Sequence, residues 1–132
     1  MIKKVGHIGI FVKNIEETVE ALSKFMDFDK PAIKESETMG MKASVVNLAG
    51  FELELLQDMD DEGHLANFVK EKGNMIHHFC LETDDIDADI TKLKEKGIEM
   101  ADQTPRIGIR GKRIAMTTPA ALNGVTVELS EP

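Results

Sequence analysis

Four residues of this chain have the types and the spacing to hold a divalent metal ion: His7, Glu54, His78 and Glu128. Imidazole nitrogens with carboxylate oxygens suit borderline ions such as Co²⁺, Ni²⁺, Zn²⁺ or Mn²⁺, and a sequence does not choose among them. The four arise as two pairs. His7 lies in Gly6-His7-Ile8-Gly9-Ile10-Phe11-Val12, followed by Asn14-Ile15, Val19 and Leu22. An offset of 71 residues gives His77-His78-Phe79-Cys80-Leu81-Glu82-Thr83, then Asp85-Ile86, Ile90 and Leu93. Leu53-Glu54-Leu55 closes the first copy and Val127-Glu128-Leu129 the second, at an offset of 74. A lone strand histidine is ordinarily a hydrogen-bonded structural residue, and a glutamate between leucines is ordinarily a solvated position. Equivalent placement of both pairs in an internal duplication outweighs that reading.

The elements that must position these residues follow from periodicity. Residues 5–12 alternate and are rich in Ile and Val, as a half-buried strand requires. Asn14 is a suitable N-cap for a helix in which Ile15, Val19, Leu22 and Met26 recur at helical spacing. The polar stretch 34–39 reads as a loop, and strands are predicted over 41–48 and 51–56 with Ala49-Gly50 as their turn. An acidic connector over 58–63 leads to a short helix over 64–72 that Gly73 ends. The second copy repeats the plan: a strand over 77–83, Asp85 as N-cap, a helix carrying Ile86, Ile90 and Leu93 and stopped by Gly97. A loop with Pro105 and Gly108 precedes strands near 113–117 and 124–129. A further short strand fits 33–36 in one half and 99–102 in the other. The predicted fold class is α+β, with two repeated β-α-β-β-(β) modules forming one curved, barrel-like mixed sheet with helices outside. One domain over 1–132 is expected, its modules spanning about 1–58 and 74–132 and joined by the short helical connector.

Alternation decides which side chains converge. Ile8, Ile10 and Val12 form the set facing the first helix, which leaves His7, Gly9 and Phe11 on the other side. The second copy sends Phe79 and Leu81 toward its helix and His78, Cys80 and Glu82 away from it. Leu53, Leu55, Val127 and Leu129 likewise go with the helices, and Glu54 and Glu128 face the other way. All four candidate ligands therefore share one face, and a curved sheet would gather them in one cavity. Glu82, of the same parity as His78, is a candidate second carboxylate for proton transfer. By the same rule His77 points away from the cavity and serves a structural or supporting role, so its loss should leave metal binding largely intact. His64 reads as a surface residue, and Cys80 as a cavity-lining side chain without a partner to activate it.

Composition narrows the rest. Lys plus Arg is 16 against 24 Asp plus Glu, a net charge of -8 that argues against broad binding to nucleic acid or anionic membranes. The single cysteine allows no internal disulfide. Met1-Ile2-Lys3-Lys4 leads straight into a strand without the apolar run of a signal peptide, and no stretch approaches membrane-spanning length. A soluble cytoplasmic protein is the expectation. Tyr and Trp are both absent, which excludes a site built on a phenol or an indole.

The His-strand, helix, Glu-strand repeat resembles the vicinal oxygen chelate superfamily, which includes glyoxalase I, extradiol dioxygenases, bleomycin-resistance proteins and methylmalonyl-CoA epimerases. The likeness to the epimerases runs over nearly the whole chain. Its most specific parts are His7-Ile8-Gly9-Ile10, Glu52-Leu53-Glu54-Leu55-Leu56, Ile76-His77-His78-Phe79-Cys80-Leu81-Glu82 with Asp84-Asp85-Ile86, Ile107-Gly108 with Gly111-Lys112, and the close Pro119, Gly124-Val125, Val127-Glu128-Leu129. Carried over by position, the resemblance implies His7, Glu54, His78 and Glu128 as metal ligands, in agreement with the alternation argument. It further implies an enolate mechanism on an acyl-CoA substrate, with Glu128 transferring a proton as well as ligating. A homodimer is the expected assembly. Coenzyme A is anionic, and Arg106, Arg110, Lys112 and Arg113 place four cations in eight residues as a candidate patch to hold it. The alternative reading of that patch is a solvated loop balancing the surplus of acids. Two positions depart from the epimerase pattern. Thr118-Pro119-Ala120-Ala121 stands where epimerases commonly have His-Pro-Lys-Ser, and Ala43 stands where some carry a glutamate proposed as a base. A glyoxalase I-type lactoylglutathione lyase would use the same ligands, and a small-molecule-binding resistance protein is the non-enzymatic alternative.

Overall fold

The computed structural model describes residues 1–132. Its elements run β1 (Ile2–Phe11), α1 (Ile15–Ser23), β2 (Ile33–Ser36), β3 (Met41–Leu48), β4 (Phe51–Asp58), α2 (His64–Lys72), β5 (Met75–Thr83), α3 (Ile86–Glu95), β6 (Arg106–Ile107), β7 (Arg113–Met116), a 3₁₀ turn (Pro119–Ala121) and β8 (Thr126–Ser130). The strands make a mixed sheet, and the class is α+β as the sequence predicts. Two compact units divide the chain, one of Ile8–Ile76 and the other of Met1–His7 with His77–Pro132, so β1 contributes residues to both.

In the unit Ile8–Ile76 the strand order is β2-β3-β4-β1. Asn14 accepts a hydrogen bond from the backbone N–H of Glu17 at 2.9 Å and starts α1 as an N-cap, with Glu16 and Glu17 complementing the positive end of the helix. β3 and β4 form an antiparallel hairpin closing at Leu48 opposite Phe51. Ala49 and Gly50 have φ of 54° and 94°, the pair of positive angles a two-residue turn needs to match strand twist. Val12, Ile15, Val46, Leu53 and Leu55 make the buried core, with Ile8, Ile10 and Phe28 packed on it. The helix is shorter than its periodicity predicts. Lys24 and Phe25 donate to the carbonyls of Ala21 and Leu22, a tightening that ends α1, and Met26 is left 37% exposed while Phe28 covers the core in its place.

In the other unit the order is β1-β5-β8-β7-β6. β5 pairs β8 in parallel, with Cys80 opposite Glu128, and β7 pairs β8 antiparallel, with Met116 opposite Glu128. Asp85 caps α3 by accepting from the N–H of Ala88. Ile86, Ile90, Met100, Ala115 and Leu129 form its core, against which Leu81 and Leu93 pack. The buried Asp89 carboxylate accepts from the Thr83 hydroxyl and ties α3 to the end of β5. Of the two further short strands, 33–36 is present as β2, within a stretch otherwise read as loop. Residues 99–102 form no full strand: they meet the sheet at an isolated bridge between Met100 and Thr117, with Ala101 and Asp102 N–H donating to Met116 O and Thr118 N–H to Glu99 O, while the Asp102 carboxylate accepts from Met116 N–H and Arg106. The short strand of this half is β6, paired with β7.

Candidate metal centre

Three strands of one unit bring a donor set together. β1 ends its contribution to this unit at His7, β5 carries His78 and Cys80, and β8 carries Glu128. Alternation puts His78 and Cys80 on the face opposite Leu81, which packs in the core, and the parallel register sets Glu128 beside Cys80. All four side chains are buried: His7 and His78 are each 2% exposed, Cys80 1% and Glu128 7%. His7 Nε2 faces His78 Nε2 at 3.1 Å, and Glu128 holds one oxygen 3.5 Å from His7 Nε2 and the other 3.8 Å from His78 Nε2. The ligand atoms of His7, Cys80 and Glu128 lie within 4.8 Å of one another.

This geometry fits a metal ion. Two nitrogens bound at right angles to one ion at about 2.1 Å each stand about 3.0 Å apart, close to the separation of the two Nε2 atoms. The set offers nitrogen and carboxylate donors within one ion's reach and excludes water by burial. Glu54 is 4% exposed on β4 of the other unit, opposite Val45, while its neighbours Leu53 and Leu55 enter the core of that unit. Burying a carboxylate demands a cation or hydrogen-bond donors.

His77 occupies a place that strict alternation does not anticipate. Its Nδ1 stands 2.9 Å from His78 Nδ1, the two rings meeting edge to face. For His78 to present a lone pair at Nε2, its proton must sit on Nδ1, and His77 is the acceptor positioned to keep it there. Outer partners of this kind typically set metal affinity within a factor of about 10–100. His77→Ala is therefore expected to weaken Co²⁺ binding by about 10–100-fold without abolishing it, as read from titration of the apoprotein. Affinity equal to wild type would leave His77 with the structural alternative of the two roles that alternation allows.

The remaining predicted residues are distributed as follows. Glu82 is half-buried, 4.0 Å from Lys4 Nζ, and packed on Gly6, where a Cβ would stand 2.7 Å from its Oε2. It pairs with Ser130, one pleat beyond the Cys80–Glu128 pair. Arg106 donates to Asp102 at 3.0 Å. Arg113 donates to Glu131 at 2.6 Å and to Asp87 at 3.0 Å; Asp87, then Glu131, raise its pKa above the ordinary guanidinium value. Lys112 is exposed on the turn between β6 and β7. Arg110, from the same turn, reaches the centre itself, its Nη1 standing 3.1 Å from His7 Nδ1. Its position among Gly108 and Gly111 was the signal available in sequence, since glycines at a hairpin tip let the chain bend inward. Ala43, 4% exposed on β3, pairs with Leu56 and offers no acid. His64 begins α2 and is exposed.

A mixed sheet built from a duplicated motif, with paired histidines and a glutamate buried on its strands, sets the class of fold to which the chain is compared. Residues 6–116 match the model of the Glyoxalase/Bleomycin resistance protein/Dioxygenase superfamily, and the chain belongs to that superfamily. Among its relatives is the mitochondrial methylmalonyl-CoA epimerase of Dictyostelium discoideum, 32% identical over 98% of this chain and 79% of that one. Another is the ethylmalonyl-CoA/methylmalonyl-CoA epimerase of Cereibacter sphaeroides, 29% identical over 99% of both. A methylmalonyl-CoA epimerase solved in complex with methylmalonyl-CoA and NH4+ superposes with a TM-score of 0.85 at 25% identity, covering 99% of this chain and 95% of that one.

Proposed function

We propose that this protein is a metal-dependent epimerase that inverts the α-carbon of methylmalonyl-CoA. The observation that carries the reading is the buried His7–His78–Glu128 cluster, in a chain similar over its full length to enzymes named for that reaction. Glu54 completes the ligand set in this reading. Its support is the duplicated Leu-Glu-Leu and Val-Glu-Leu strands and the burial of its carboxylate. The ion is of the Co²⁺, Ni²⁺, Zn²⁺ or Mn²⁺ kind and supplies Lewis acidity toward the carbonyl of the thioester.

The chain's own residues do the rest. His7 and His78 fix the donor geometry, and His77 holds the orientation of His78. Glu128 removes the α-proton from one face of the substrate, and inversion follows when the enolate is reprotonated from the other face. Glu82, held near Lys4 on β5, is the second carboxylate of the proposal, serving the opposite face of the substrate. Arg106, Arg110, Lys112 and Arg113 form the anion-facing side of the substrate site, with exposed Lys112 directed to the CoA moiety. A homodimer is supported by exposed apolar side chains such as Val5, Ile76 and Ile107. No helix is long and apolar enough to cross a membrane. A cytoplasmic location is part of the proposal, and cell fractionation tests it.

The reading is tested by substrate. Metal-loaded protein is expected to interconvert the two stereoisomers of methylmalonyl-CoA and to leave the hemithioacetal of methylglyoxal and glutathione unchanged. Turnover of the hemithioacetal without isomerisation of the thioester would replace the epimerase with a glyoxalase-type lyase.

A further inference from the structure

Cys80 is buried, yet it lies outside both hydrophobic cores. A free buried cysteine ordinarily packs as a small apolar side chain, and the helix-facing side of β5 offers such a place, where Leu81 packs on the cluster of Ile86, Ile90 and Leu129. Cys80 belongs to neither core cluster, although it is 1% exposed. Alternation turns it to the face of His78, and the parallel register of β5 with β8 sets it beside Glu128. Paired strands stand about 4.8 Å apart, so the thiol and the carboxylate rise from neighbouring positions on one face.

The reach of the side chains brings a third donor to them. Cys80 Sγ, a ring nitrogen of His7 and a carboxylate oxygen of Glu128 lie within 4.8 Å of one another, and all three residues belong to one unit. On one ion, a sulfur bound at about 2.3 Å and a nitrogen at about 2.1 Å stand about 3.6 Å apart at the tetrahedral angle and at most about 4.4 Å apart. Rotation of the Cys80 or Glu128 side chain covers any remaining difference. Three protein donors of these kinds, with a fourth position open, form the pattern of a catalytic zinc site. The thiol also changes which ion such a set prefers. Carboxylate oxygens suit Mn²⁺, whereas a thiolate is a soft donor that favours Zn²⁺.

We propose that Cys80 is a metal ligand, its thiolate joining His7 and Glu128 on the ion and biasing the centre toward Zn²⁺ over Mn²⁺. As the ion enters, the S–H proton passes to solvent and a metal–sulfur bond takes its place. This rests on the metal-dependent reading of the centre and adds a donor to it. Co²⁺-loaded wild type is expected to show the near-ultraviolet charge-transfer band of a cobalt–thiolate bond, and X-ray absorption of the Zn²⁺-loaded protein a sulfur neighbour at about 2.3 Å. Both signals should vanish in C80S and in C80A while each variant still binds Co²⁺. Met116, opposite Glu128 on β7, is a second sulfur on the neighbouring strand, and a sulfur neighbour that persists in both variants would belong to it and overturn the assignment. The charge-transfer band is specific to a thiolate, so the wild-type spectrum decides even where a variant fails to fold. Partners one step removed from a metal set its affinity by about 10–100-fold, so loss of a direct donor should lower the ratio of Zn²⁺ to Mn²⁺ affinity by at least about 10-fold in C80S. The preference of the remaining donors for Zn²⁺ is common to wild type and variant and cancels in that comparison. Wild type that binds Co²⁺ without a thiolate band, or an unchanged ratio in C80S, overturns the role of Cys80 and leaves the metal reading in place. Wild type that takes up none of Co²⁺, Zn²⁺ and Mn²⁺ removes the metal reading and this inference with it.

Discussion

Glu128→Gln should lower the isomerisation of methylmalonyl-CoA by about 10²–10⁴-fold, the range that a positioned acid–base group contributes. Glutamine preserves the shape of the side chain and removes its basicity and charge. Glu128 stands between His7 and His78 at 3.5 and 3.8 Å, so the substitution also removes a charged donor from the metal set. The two effects separate in one measurement series. Co²⁺ titration reports the lost ligand as weaker binding, and rates at saturating Co²⁺ report the lost base. A variant with full activity at saturating Co²⁺ would show that Glu128 only ligates, and would move the proton-transfer role to another carboxylate such as Glu82.

The second large effect is on stability. An ion that binds the folded chain stabilises it by mass action, about 2.7 kcal/mol when present at 100 times its Kd. With an unfolding entropy of about 2.1 cal/mol/K per residue, that raises the Tm of a chain of this size by about 10 °C. Wild type should show this rise on adding Co²⁺ or Ni²⁺ to the apoprotein, and chelation should reverse it. His78→Ala removes a donor that is 2% exposed and faces His7 directly, so its Tm should not respond to either ion. A metal response retained in His78→Ala but lost in His77→Ala would mean that the register of β5 is off by one residue.

Alternation was the most legible signal for the faces of the candidate residues. Leu81 and Leu129 are in the core of one unit and Leu53 and Leu55 in the core of the other, which turns His78, Glu128 and Glu54 to the opposite face as a period of two requires. The caps Asn14 and Asp85 were legible because a side-chain acceptor just before an apolar period has few other uses. What escaped the sequence are contacts that depend on side-chain length and on tertiary choice. His77 meets His78 through their ring Nδ1 atoms although their Cβ atoms point to opposite faces. Arg110 reads as one of four similar cations until the turn at Gly108 and Gly111 separates it from the others. Helical period alone extended α1 to Met26, where the packing of Phe28 ended it sooner. The edge strand β6 is two residues long, too short for periodicity to register, and the interactions of Asp102 decide where it falls.

Exchange of the substrate α-proton tests the central claim most directly. Metal-loaded protein and methylmalonyl-CoA are incubated in D₂O, and deuterium at the α-carbon is followed by mass spectrometry alongside the stereochemistry. The account predicts deuterium incorporation that accompanies interconversion of the two stereoisomers, falls on chelation and is restored by Co²⁺. Metal-loaded, folded protein that incorporates no deuterium and leaves each stereoisomer unchanged would contradict it.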